Sequence, residues 1–297
     1  MRTILRALWK TITAPFRAVL WVARGIVSAI RKLSQKIHAF FTEDEEDTPL
    51  GDAIEKMVEH PQGVIEHIDA LRKHLLRSVA VLLITTTASL IFVRPILDFL
   101  ASPLEGGIQS LTAIDVTENI SAGMRVALLA GFVVALPYIL FELFLFIAPG
   151  LHRKFRIRLL LALPIALLLF VGGSAFAYMM LPFVLPIMMN VWEMQTNPRP
   201  SNYFSIVTNI MFWIGLFFEL PLVAFVLADF GILKAKMLIS QWKLALVAIA
   251  ILAAAITPTT DVLSMAIVMI PMFLLYLISI LLVFLAERNR SKKVSEP

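Results

Sequence analysis

Six apolar runs, each bounded by charge or by proline, constrain this chain more than any other feature of its sequence. They lie near 75–97, 121–148, 158–189, 204–228, 243–257 and 262–286. A bilayer core of about 30 Å needs roughly 20 apolar residues as helix, so the runs predict an all-α polytopic membrane protein with six transmembrane helices. Composition agrees: 59% of the 297 residues are hydrophobic and 16% are charged, with a mean hydropathy of +0.86, more apolar surface than one soluble core requires. The third run carries Pro164, Pro182 and Pro186 and is expected to kink or to leave the membrane before its apolar pattern ends. The fifth is too short to cross alone. Thr257-Pro258 ends it, which sets the turn into the sixth span below the outer surface.

Lysine and arginine set the predicted orientation. Arg72, Lys73, Arg77, Arg153, Lys154, Arg156, Arg158, Lys234, Lys236, Lys243, Arg288, Arg290, Lys292 and Lys293 fall on one side, and Arg94, Arg125 and Arg199 on the other. That bias predicts cytoplasmic N and C termini in a cell membrane. It also accounts for the net charge of +5 without invoking nucleic acid. Residues 1–41 lack the clean apolar core of a cleaved signal sequence, because Arg17 and Arg24 interrupt it. Arg2, Arg6, Lys10, Arg17, Arg24 and Arg31 share one helical stripe opposite apolar residues, which reads as an interfacial helix on anionic lipid headgroups. A helix packed on another subunit is the alternative. An acidic linker follows over 42–63, then the membrane domain over 64–287 and a tail over 288–297.

The chemistry legible in the residues is sparse. The absence of cysteine excludes disulfides and thiolate metal sites, and all five histidines are expected outside the spans, which argues against a Ser-His dyad and most zinc sites. Gly172-Gly173-Ser174-Ala175 reads as close helix packing. No phosphate-binding loop is present, so the chain is expected to be no enzyme, to hold no cofactor or metal, and to draw energy from a partner or a gradient. Two acids lie inside apolar runs, where an ionisable group costs about 2.5–3.5 kcal/mol on insertion scales. Glu142 is about 10 Å from the cytoplasmic end of the second span, at 1.5 Å per residue, and Glu219 is at a similar depth in the fourth. They either share a cavity or each stabilise packing. Asp261 suits capping of the sixth span, and Glu118 and Arg125 suit pairing or exposure at the outer start of the second.

His67-Ile68-Asp69-Ala70-Leu71-Arg72-Lys73-His74-Leu75-Leu76, the segment TENISAGMRVAL, Pro137 followed by FELFLFIAPGL, GLFFELPLV and ITPTTDVLSMAIVMIPMFLLY occur in that order. Together they resemble the TatC family of twin-arginine protein translocases over residues 64–287. The resemblance implies a cup-shaped core that receives folded proteins with twin-arginine signal peptides, assembles with TatA- and TatB-like single-span subunits and is driven by the proton-motive force. It also implies carboxylates near the cytoplasmic surface, since a guanidinium pairs with an acid through two parallel hydrogen bonds.

Three positions where the family carries an acid hold Ala70, Phe155 and Leu277 here. Arg153, Lys154, Arg156 and Arg158 surround the second of them, and like charges at 4 Å repel by about 4 kcal/mol at an effective dielectric of 20. Signal-peptide contact is therefore assigned to Glu66, Asp69 and Arg72, with Glu142 at the family's glutamine position. Asp69 is also spaced to pair with Lys73. A related scaffold that docks another partner is one alternative, and carboxylates supplied by the acidic run 43–47 are another. A proton or solute transporter using Glu142 and Glu219 is a reading from a different class, although no pair of interrupted helices in corresponding halves supports it. A homo-oligomer is compatible with all of these.

Overall fold

The computed structural model describes residues 61–104, 106–151, 153–189, 198–257 and 262–295. The basic segment 1–41, the acidic run and Asp261 lie outside the described residues. Every regular element among those described is helical. Pro61 opens α1 (Pro61–Ser89), where its missing N–H costs nothing. The helix tightens to a 3₁₀ turn at Leu90–Phe92 and resumes as α2 (Val93–Ala101). The cause is local: Pro95 cannot donate to the carbonyl of Ile91.

Two long helices follow, α3 (Val116–Ile147) and α4 (Arg153–Met189). The second runs unbroken through Pro164, Pro182 and Pro186. Its 37 residues measure about 55 Å, longer than a hydrocarbon core of about 30 Å. The fourth run is interrupted, which its uniform apolarity did not predict. Helix α5 (Pro200–Phe218) gives way to α6 (Leu220–Asp229) at Glu219, whose N–H turns to the carbonyls of Leu216 and Phe217. Pro221 supplies the reason, having no N–H for the Phe217 carbonyl.

The chain continues through α7 (Ala235–Ser240), α8 (Trp242–Ile256) and α9 (Val262–Ser295). Five described stretches are long and apolar enough to cross a membrane, and the 15-residue α8 is the short sixth. Helix α9 is helical to Ser295, past the end of its apolar stretch at Arg288.

Packing divides the helices unequally. Ala177, Ile210, Ile214, Ile249, Val268 and Met272 join α4, α5, α8 and α9 in one core. A second core holds Leu100, Val126, Leu181 and Phe204 from α2 to α5, and a third joins α6, α7 and α9. Close approach needs small residues: a Cβ on Gly173 would lie 2.6 Å from the Phe218 ring, and Ser174 Oγ donates to the Met211 carbonyl at 3.2 Å. Helix α1 enters none of these cores. It lies chiefly along α3, where a Cβ on Gly131 would meet Thr86 Cα at 2.5 Å.

Candidate functional site

Along the seam between α1 and α3, Tyr138, Glu142 and Phe146 recur at four-residue spacing and form one ridge of α3. His67 and His74, seven apart, face it from α1. Glu142 is buried, at 3% exposure. Its Oε2 bonds His74 Nδ1, its Oε1 accepts from the Tyr138 hydroxyl at 2.6 Å, and Arg77 Nη1 stands 4.0 Å from Oε2. With Glu142 ionised, Nδ1 of His74 carries the donated proton. The His67 ring stacks on Phe146 with centroids 4.4 Å apart. This corrects the expectation that all histidines lie outside the spans: His74 stands at the depth of Glu142, because α1 is helical from Pro61 and its charged start continues the same rod.

The exposed face of α1 carries Glu66, Asp69 and Arg72, beside a half-buried Ala70. Among the described residues Asp69 forms no ion pair with Lys73, contrary to their spacing. An exposed pair of this kind contributes too little to hold two mobile side chains together. His74, Tyr138 and Arg77 were the partners the sequence did not single out. They were visible only as residues at helical spacing from known positions.

The start of α4 is less repulsive than its four bases suggested. Buried Arg156 donates from Nε to the Leu151 carbonyl at 2.7 Å and from Nη2 to that of Pro149 at 3.4 Å. Arg158 pairs with Asp229 at the end of α6. Phe155 meets Phe230 edge-on at 4.9 Å. Exposed positive charge is thereby concentrated on Arg153 and Lys154.

Glu219 stands apart from this group. It lies at the break between α5 and α6, and its Oε1 is buried without a hydrogen-bond partner. The partners of Glu142 come from α1 and α3, so no contact joins the two acids that the sequence placed at one depth. Leu277 is 44% exposed on α9.

At the far end of α3, Glu118 is buried and pairs with Arg199 at 3.6 Å, while Arg125 is exposed. Asp115 caps the helix by accepting from the Thr117 N–H at 3.0 Å. That backbone hydrogen bond holds its carboxyl below the ordinary value of 3.8.

Six apolar helical stretches, polar joints between them and no strand among the described residues define a multi-pass α-helical membrane protein. The family model described as Sec-independent protein translocase protein (TatC) matches residues 66–271. A TatC of Carboxydothermus hydrogenoformans is 33% identical, over 80% of this chain and 98% of the relative. TatCy of Bacillus subtilis is 31% identical, over 80% and 94%. A crystal structure of the twin-arginine translocase receptor TatC superposes with a TM-score of 0.67 at 30% identity, covering 74% of this chain and 99% of that one. The chain belongs to the TatC family of Sec-independent protein translocase subunits, a translocase component and not an enzyme.

Proposed function

We propose that this chain is the receptor core of a twin-arginine translocation system in the inner, or plasma, membrane. It receives folded precursors with twin-arginine signal peptides and assembles with TatA- and TatB-like subunits for export driven by the proton-motive force. Both termini lie in the cytoplasm, and residues 1–41 rest on anionic headgroups. The observation that carries the reading is the pair of exposed acids Glu66 and Asp69 on α1, three residues apart on one face and without an ion pair among the described residues. They are the acids that meet the signal guanidinium groups. Arg72 borders them and orients the peptide. Glu142, enclosed by His74, Tyr138 and Arg77, fixes the helix that displays them.

Photo-crosslinking from positions 66–72 and 150–156 to a twin-arginine precursor tests this. Contact that disappears when the arginine pair is replaced by lysines is expected. Contact with TatA-like subunits but with no precursor would instead select a scaffold that docks another partner. That second reading is favoured by the contact of Phe155 with Phe230 where the family carries an acid.

A further inference from the structure

Asp229 is the last residue of α6, a place that disfavours an acid, because the final carbonyls of a helix form the negative end of its dipole. A carboxylate held there needs a cation. Arg158 supplies one from the second turn of α4. The two side chains remain 41% and 20% exposed, so water and ligands reach the pair. Arg158 touches both carboxylate oxygens through a single nitrogen, Nη1, whereas the strong arrangement is a fork of two parallel N–H···O bonds. Its guanidinium carbon also lies 5.3 Å from the centre of the Phe155 ring, which Phe230 props edge-on. A carboxylate beside an aromatic face accepts a planar guanidinium better than a compact, strongly hydrated ammonium.

We infer that Asp229 and Phe155 form a guanidinium-binding site occupied by the chain's own Arg158, and that an arginine of the incoming signal peptide displaces Arg158 from it. The inference rests on the receptor reading above. Exchange is feasible because the resident arginine makes a single-nitrogen contact and, once released, returns to water. An incoming arginine that presents both terminal nitrogens gains the fork and the ring face. A lysine gains neither. Exposed Arg153 and Lys154 at the start of α4 repel every arriving cation, and the fork and ring contact open to an arginine offset that cost. Arg158 thus acts as an internal competitor that raises the threshold for binding and sharpens selection for arginine over lysine.

The test titrates a fluorescent twin-arginine signal peptide, and a twin-lysine version, into the purified full-length chain in detergent. Arg158→Gln is expected to tighten twin-arginine binding about two- to fivefold, the range of a partly exposed ion pair, and to leave twin-lysine binding unchanged. Asp229→Asn is expected to weaken twin-arginine binding about tenfold, as loss of a charge-assisted bond does. Asp229→Glu restores it, and the double variant Arg158→Gln with Asp229→Asn shows no gain. Twin-arginine affinity that Arg158→Gln leaves unchanged or weakens would overturn the inference, as would wild-type affinity in Asp229→Asn. In the latter case, persisting crosslinks from residues 66–72 to the precursor would leave the receptor reading standing. Absence of both crosslinks and peptide binding in every variant would sink the two together.

Discussion

Glu142 and Glu219 are the same side chain in the same kind of apolar helix, yet their surroundings differ completely. Both oxygens of Glu142 are engaged, by a histidine from another helix and a tyrosine one turn back. Glu219 sits where Pro221 breaks the helix, with one buried oxygen unpartnered. The first acid is a joint: α1 shares no apolar core with the other helices, so polar contacts and close backbone approach hold it on α3. The second belongs to a helix whose residues already enter two apolar cores. A buried acid therefore carries meaning through its partners, and its depth alone says little.

The comparison breaks first if α1 is not held as described. Gly131→Val should give the largest effect, because even the added Cβ meets Thr86 backbone, and the Thr85 hydroxyl would lose its 2.8 Å bond to the Gly131 carbonyl. A loss of about 3 kcal/mol is expected, read as thermal stability in detergent. Glu142→Ala should follow, at about 1–3 kcal/mol, since it strands the Tyr138 hydroxyl and the His74 ring. Glu219→Gln, by contrast, should change stability by less than about 0.5 kcal/mol while lowering export of a reporter precursor. Equal destabilisation by the two substitutions would erase the distinction between joint and unpartnered acid.

A smaller effect concerns the exposed side of the joint. Ala70→Glu adds an acid beside Glu66 and Asp69 and should strengthen binding of a twin-arginine peptide about tenfold. Adding Phe155→Glu should bring no further gain, because Arg158, now over that ring, would capture the new carboxylate. A clear additional gain would show that Arg158 stays with Asp229.

The smallest expected effect is at the opposite end of α3. The folded-state value of Asp115 is depressed, so its cap contributes stability above the ordinary carboxylate value of 3.8 and loses it as pH falls through the lower folded value. Asp115→Asn should melt slightly below the wild type near neutral pH, with the gap closing in acid. A gap that widens on acidification would reverse the sign.

The spans were legible because apolar length and the placement of lysine and arginine are properties of contiguous sequence. The fifth run was readable as short, and α8 has 15 residues. The family motifs were equally local. The break at Glu219 also had a local cause in Pro221, masked by the uniform apolarity around it. Partner choice was different in kind. His74 and Glu142 are 68 residues apart, and Arg158 and Asp229 are 71 apart. Nothing in either neighbourhood states which helix it will face, and the Asp69–Lys73 pair suggested by spacing does not form.

The sequence by itself determined a six-run helical membrane chain of the TatC family and the absence of acids at Ala70, Phe155 and Leu277. Only the tertiary structure decided that Glu142 joins two helices, that one oxygen of Glu219 is buried without a hydrogen-bond partner, and that Arg156 and Arg158 at the start of α4 are engaged within the chain. The physical reason is that hydrophobic burial and helix formation sum over neighbouring residues. Hydrogen bonds and ion pairs instead depend on which surfaces the packed helices bring within about 3–4 Å.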